Sequence, residues 1–300
     1  MSGDALGQDP AELRRRIDTT KAHPARVYDV LLGGKDNYPV DRNAAAAALA
    51  ANPRGYLDVR HNRDFLRRAV TAVAAEGGIR QFLDIGTGLP TQENVHQIAQ
   101  RITPDARVVY VDNDPVVLAH ARALLTSGPE GRTDYIDADF REPKQILEQA
   151  VETLDFTQPV ALVLVAILHF VEDADAYPIV RGLVDTLPSG SRLVLSHLTE
   201  DLNAEDIRAV QRTFTERGFT FVLRSRAEVE RFFTENGLIL DEPGVVPAHH
   251  WRPDGDAPAP ETADPAFLAT LDAVDKVRYL DISDVTDADI NVYVATGVKP

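Results

Sequence analysis

Three aspartates, Asp84, Asp112 and Asp139, each stand at or just past the end of a short apolar stretch, and a helix-forming segment follows each. Carboxylates placed there accept hydrogen bonds at the carboxyl ends of strands, where an open α/β sheet binds its ligands. Asp84 belongs to the run Gln81-Phe82-Leu83-Asp84-Ile85-Gly86-Thr87-Gly88-Leu89-Pro90-Thr91. That run reads as a strand, a tight glycine turn and a helix start. Pro90 suits a first helical turn, and Val95, Ile98, Ala99 and Ile102 fall at i, i+3, i+4 and i+7. Gly86 and Gly88 let backbone approach a ligand closely, and their N–H groups are expected to be exposed.

Two ligand chemistries compete for such a loop. A dinucleotide fingerprint has a third glycine that lets the helix pack close to the strand. Here Gly88 is followed by Leu89-Pro90-Thr91, so that glycine is missing. S-adenosylmethionine has no phosphates, is cationic at sulfur and carries an ammonium, so an acid-rich pocket suits it better. On this reading Asp84 fixes the loop or faces the ammonium. Asp112 accepts from ribose hydroxyls. Asp139 accepts from the adenine amino group, and Phe140 supplies an apolar wall. Thr87 and Asn113 complete the candidate cofactor site, with Asn37 and Arg63 reaching it from the N-terminal side.

For the reaction, His169 follows the most apolar strand and has the ordinary pKa range of a general base; a structural strand-end histidine is the competing reading. Tyr38, in the loop after Gly33-Gly34, is a second candidate that would close over the ligand. Lys35 and Asn37 either anchor that loop or are solvated. His197 reads as less suited to catalysis. Arg63 lies in the run Arg54, Arg60, Arg63, Arg67 and Arg68, interleaved with Asp58 and Asp64, which reads as an ion-paired helix face unless Arg63 turns to the site. His249-His250 has no carboxylate at metal-ligand spacing, so it is expected to be structural and no metal is expected.

These residues need a frame. Pro24–Leu32, the alanine run Ala44–Ala48 and Phe65–Ala75 predict a helical cap before the first strand, preceded by a short helix near Leu13–Ile17. Strands are predicted at 81–85, 107–111, 133–136, 159–168, 191–196, 238–240 and 291–298, alternating with helices at 115–124, 143–151, 177–187, 203–217 and 226–235. Pro159–Leu168 is apolar at nearly every position, as in a strand buried on both faces. A surface loop over 253–265 and a helix over 265–274 precede the last strand. The alternation predicts a mostly parallel, seven-stranded α/β sheet flanked by helices, whose last strand is able to run antiparallel. The division is a cap over 1–78 and a ligand-binding domain over 79–300, together one structural unit.

Composition narrows the partners. Of 300 residues 44% are hydrophobic and 26% charged, enough for a sizeable core. The formal charge of −16 argues against broad attraction to nucleic acid or anionic membrane. There are no cysteines, which excludes disulfides, thiolate metal sites and thiol nucleophiles and fits a reducing cytoplasm. No apolar run is long enough to span a bilayer. A soluble, cytoplasmic protein with a small-molecule partner is expected.

The runs Phe82–Thr91, Val109-Tyr110-Val111-Asp112-Asn113-Asp114-Pro115 and Val165-Ala166-Ile167-Leu168-His169-Phe170 closely resemble an actinobacterial family classed as S-adenosyl methyltransferase and first catalogued as a domain of unknown function. Arg26–Tyr38, Asn62-Arg63-Asp64-Phe65-Leu66 and Ser196-His197 are similar to other signatures of that family, and the likeness spans roughly 22–254. It implies a class I methyltransferase (Rossmann-like) sheet that holds S-adenosylmethionine at Asp84, Gly86, Asp112 and Asp139. It names no methyl acceptor. Gly255–Asp289 is an insert relative to the family, where oligomerisation with a second copy or substrate access would differ. The leading expectation is a small-molecule methyltransferase. The runner-up is a non-catalytic protein that senses S-adenosylmethionine or its product; the third is an NAD-dependent oxidoreductase.

Overall fold

The computed structural model describes residues 15–90, 93–124, 127–256 and 259–300. Of the helix expected near Leu13–Ile17, Arg15 and Arg16 are helical and the residues before them lie outside the described ones. The cap is three helices, α1 (Pro24–Leu32), α2 (Pro39–Ala51) and α3 (Tyr56–Ala75). Pro24 begins α1 and Gly33 ends it in the left-handed conformation, at φ 83°. Asp41 holds the start of α2 by accepting from the Tyr38 N–H at 2.9 Å. At 20 residues α3 starts nine residues earlier than its apolar stripe predicts, because its first turns carry the Arg and Asp residues that look outward or into the site.

The sheet then alternates with helices: β1 (Gln81–Ile85), α4 (Val95–Ile102), β2 (Arg107–Asp112), α5 (Pro115–Leu124), β3 (Arg132–Asp137), α6 (Pro143–Ala150), β4 (Ala161–Leu164), α7 (Asp173–Asp185) and β5 (Arg192–Leu198). There follow α8 (Ala204–Thr215), α9 (Arg226–Thr234), β6 (Ile239–Leu240), β7 (Val246–Pro247), α10 (Pro265–Thr270), α11 (Ala273–Lys276) and β8 (Val292–Val298). Strand order is β3-β2-β1-β4-β5-β8-β6, with β7 also on β8. The first five strands are mutually parallel, and β8 runs antiparallel to β5. This is the expected mostly parallel α/β sheet flanked by helices, with eight strands among the described residues rather than seven. The extra one, β7, is two residues long and contains a proline, so it leaves no periodic signal.

Side chains alternate across the sheet. Phe82, Val108, Tyr110, Val163 and Val194 pack against cap residues such as Val27, Phe65 and Ala69. Leu83, Val109, Leu162 and Leu195 pack on the opposite face with Ile146, Val180 and Phe232. All four residues of β4 are buried.

Two expected elements differ. The strand predicted over 159–168 ends at Leu164. Ala166 takes φ 58°, the Ser196 hydroxyl accepts from its N–H at 2.9 Å, and Leu168–Phe170 forms a 3-10 turn. These residues are apolar because they are covered, whether as strand or as turn, so periodicity cannot mark where the strand stops. The helix predicted from Pro90 starts at Val95, where Gln97 accepts from the Asn94 N–H at 2.8 Å.

The insert straps the cap. The Tyr56 hydroxyl donates to the carbonyl of Asp281 at 3.1 Å, and Arg60 donates to those of Val277 and Leu280 at 2.6 and 2.9 Å. Arg42 pairs with Asp275 at 2.8 Å. Among the described residues no helix is long and apolar enough to cross a membrane.

Candidate functional site

The strand order reverses around β1, whose neighbours are β2 and β4. A crevice opens outside the carboxyl ends of the strands at such a point. Here it is a cavity of about 390 Å³ roofed by the cap, within the size range of small-molecule sites. Asp84, Gly86, Thr87, Gly88, Asp112, Asn113, Asp139, Phe140, Arg63 and His169 all line it.

The glycine loop differs from expectation in one respect. Its N–H groups do not face a ligand. Gly86 and Thr87 donate to the Val111 carbonyl at 2.8 and 3.3 Å, and Gly88 donates to Asp112 Oδ2 at 2.8 Å. The cause is register: β1 pairs with β2 up to Ile85–Val111, so the turn folds back onto the end of β2. Gly86 is still needed. Its φ is 79°, and a Cβ there would stand 2.5 Å from Ile167 Cδ1. The loop thus gives close approach without anion-binding donors.

The acids take distinct states. Asp112 accepts from the N–H groups of Gly88 and Asp114, leaving further lone pairs for a ligand. Burial raises its pKa, and those two N–H groups oppose the rise. Burial lifts Asp84 to about 7, with the Arg63 charge pulling down and Asp112 pushing up. Asp139, half-buried, accepts from Asn113 Nδ2 at 2.9 Å and from the Arg141 N–H at 2.8 Å.

The cap brings its own groups. Gly55, Asp58, Val59, Asn62, Arg63 and Leu66 line the cavity, at i, i+3, i+4, i+7, i+8 and i+11 along one face of α3. Arg63 therefore turns inward, and donates to the Glu93 carbonyl at 2.9 Å. The other arginines of its run do not line the cavity: three are in ion pairs, Arg68 buried, and Arg60 is on carbonyls of the insert. Arg67 bridges Asp64 and Asp254 at 2.8 and 2.7 Å, Arg54 pairs with Asp289 at 2.9 Å, and Arg68 pairs with Asp64. Asp58 is a cavity residue that sequence reasoning missed. Burial raises it to about 7, while the Asn291 N–H and Nδ2, which it accepts, pull down. His23 was missed as well. It caps α1, pairs with Asp114 at 3.0 Å and, with Arg26 at 3.2 Å from the same carboxylate, pins the cap to the end of β2. Helical spacing on α3 was the signal available for Asp58; for His23 there was none.

Asn37 and Tyr38 do not line the cavity. Asn37 Nδ2 donates to Asp29 at 2.9 Å and to the Gly34 carbonyl at 3.2 Å. Tyr38 precedes α2, with the Arg26 guanidinium 5.4 Å from its ring centroid. Both are held in the cap's own loop, which is why they do not close over a ligand.

His169 reaches the cavity wall, but its environment departs from that of a general base. Burial, reinforced by the Arg224 charge, lowers it to about 3, so the ring is neutral at pH 7. Its Nδ1 is buried without a partner among the described residues. His197 is held as structure: Nδ1 faces the Leu198 carbonyl at 2.7 Å and Nε2 faces Arg224, which fixes the tautomer by its partners. Burial and then Arg224 press its pKa well below the usual range.

His249 and His250 lie off the cavity. The carboxylate lacking from local spacing arrives from the insert: Asp287 Oδ1 is 2.6 Å from His250 Nε2 and 3.2 Å from His249 Nε2. Burial, with His250 and His61 nearby, holds His249 at about 4. Its contact with Asp287 is thus a hydrogen bond from a neutral ring, and the pair ties the insert to the turn before Trp251.

A buried acidic cavity whose Gly86, Thr87 and Gly88 N–H groups are all engaged fits a sulfonium nucleoside better than a pyrophosphate. The comparisons agree. The chain matches the family described as S-adenosyl methyltransferase over residues 10–276. It is similar to a DUF574 family protein from Streptomyces avermitilis, with 44% identity, coverage of 94% of this chain and 99% of that one, and a TM-score of 0.83. It is also similar to a putative methyltransferase from Thermobifida fusca, with 35% identity, coverage of 98% and 99%, and a TM-score of 0.78. No curated protein matches it. The chain belongs to the S-adenosyl methyltransferase family, whose cofactor is S-adenosylmethionine.

Proposed function

We propose that this protein transfers the methyl group of S-adenosylmethionine to a small-molecule acceptor held inside the cavity under the cap. The observation that carries this reading is the convergence of Asp84, Asp112 and Asp139 on a loop whose N–H groups are already engaged. Asp112, buried and fixed by two backbone N–H groups, accepts from the ribose hydroxyls. Asp139 accepts from the adenine amino group, and Phe140 closes the apolar side of that pocket. Asp84 would hold the ammonium of the cofactor's amino-acid end and Arg63 its carboxylate. When bound, the cofactor would supply an electrophilic sulfonium methyl: the acceptor's nucleophile bonds to the methyl carbon as the carbon–sulfur bond breaks, S-adenosylhomocysteine is the leaving group, and the acceptor's proton goes to water as the products leave.

The chain's contribution is placement and exclusion of water. The cap roof makes the reaction space dry. His169, neutral and lining the cavity, accepts a hydrogen bond from the acceptor on its ring and so orients it, without taking a full proton at pH 7. The test is transfer of labelled methyl from S-adenosylmethionine into small molecules of a cell extract, with Asp112→Ala as the control. Label in a small-molecule fraction that disappears in the variant is the expected result. Binding of S-adenosylmethionine without transfer to any fraction would leave only the sensing role.

A further inference from the structure

The cavity has a second half that the cofactor's chemistry does not use. The acids stand at the ends of β1 to β3. The remaining wall comes from the turn after β4, the end of β5, the cap helices and the segment that leaves α8. On that side four aromatic rings line the cavity: Phe170, Phe214, Phe219 and Phe221. They touch one another in tilted and edge-on pairs. Phe214 is 5.0 Å from Phe221 and 5.7 Å from Phe219, and Phe170 is 5.9 Å from Phe221, centroid to centroid. Leu49 and Val210 face the same space from α2 and α8.

Charge is scarce there. His169 and His197 are both held neutral by burial and by Arg224. Arg224 lies behind them, donating to the carbonyls of Leu168 and Val171 and to Asp173. Arg141, at the rim, is paired with Asp139 at 3.3 Å. Among the described residues Asp58 is the one carboxylate on this side, and Asn291 donates to both of its oxygens. An anionic acceptor would lose its water and gain no cation in return. Aromatic rings, by contrast, pack edge-to-face against an aromatic guest. The neutral His169 ring, which lines this side, and the Ser196 hydroxyl, which accepts from the Ala166 N–H and keeps its own proton to donate, suit one hydroxyl or one N–H rather than an ion.

From this geometry we infer that the methyl acceptor is an uncharged aromatic molecule, its ring system packed among Phe170, Phe214, Phe219 and Phe221 and its single polar group turned to His169. The inference rests on the methyltransferase reading, because that reading assigns the acid half to the cofactor.

Calorimetry with S-adenosylhomocysteine alone comes first, because it tests the underlying reading separately. The acceptor side is then probed with 2-naphthol, 2-naphthoate and 2-naphthylmethylammonium on protein saturated with S-adenosylhomocysteine. The inference expects 2-naphthol to bind at least tenfold more tightly than either ion. Val210→Trp, which fills the compartment from a half-buried position, is expected to weaken 2-naphthol at least tenfold and to leave S-adenosylhomocysteine within about twofold. Phe214→Ala is expected to act in the same direction and guards against a misfolded tryptophan variant. Equal or tighter binding of the anion, or of the cation on Asp58, overturns the neutral-acceptor assignment. So does 2-naphthol binding that both variants leave unchanged. Failure of S-adenosylhomocysteine to bind while 2-naphthol does would remove the cofactor reading instead.

Discussion

The two halves of one cavity are built on opposite principles. At the ends of β1 to β3 the wall carries buried carboxylates, of which burial holds Asp84 near 7 and raises Asp112. At the ends of β4 and β5 the wall is aromatic, and its two histidines are held neutral. Burying acids costs stability unless a partner arrives. The acid half is thus incomplete without a cationic ligand, whereas the aromatic half is packed like a core. On the proposed reading, binding of the cofactor and acceptance of an apolar acceptor come from the same sheet, separated by the strand order.

The comparison breaks most sharply at Asp112. On the proposed reading Asp112→Ala removes two charge-assisted hydrogen bonds to ribose, each worth about 1.5–3 kcal/mol, and it frees the N–H groups of Gly88 and Asp114. Loss of S-adenosylmethionine affinity on the order of 100-fold or more is expected by calorimetry. Unchanged affinity would sink the ribose assignment.

Asp84 is expected to have the next largest effect, and it carries a pH signature. A cationic ammonium favours the ionised carboxylate. Affinity is therefore full above pH 7 and falls as pH drops through about 7, by up to about tenfold per unit. Asp84→Asn should weaken binding about tenfold at pH 8 and flatten the dependence between pH 6 and 8. Stability moves the other way. The folded pKa lies above the unfolded value, so this group's favourable contribution is complete below the unfolded pKa and is lost as pH rises through about 7. Unliganded Asp84→Asn should thus melt higher than the parent at pH 8, with the gain shrinking toward pH 4. A variant that binds and melts like the parent at both pH values would contradict the reading.

The seam between the halves is Gly86 against Ile167. Gly86→Ala puts a Cβ into Ile167 at a positive φ, with an expected cost of about 1–3 kcal/mol of stability. Denaturant melts read this directly. The cost should fall if Ile167→Ala is added, and additive costs would place the strain elsewhere.

Much of the acid half was legible in the sequence because strand ends are: Asp84, Asp112 and Asp139 follow apolar stretches that periodicity marks. Arg63 was legible as one of two alternatives, and helical phase on α3 decides between them. Other features depend on contacts between distant parts of the chain. The loop N–H groups are engaged through the β1–β2 register. His169 is neutral because burial and Arg224 act on it, and no local pattern reports either. Asp58 was read as part of an ion-paired face because the first turns of α3 carry mixed charge. Asn37 and Tyr38 were placed by their position after Gly33-Gly34, whereas Asp29 and the start of α2 decide where they go.

The most direct test of the account is a pair of calorimetric titrations of the unmodified protein, with S-adenosylmethionine and with NAD. The account predicts one site of micromolar affinity for S-adenosylmethionine and no heat with NAD. Binding of NAD, or silence with S-adenosylmethionine, would contradict it.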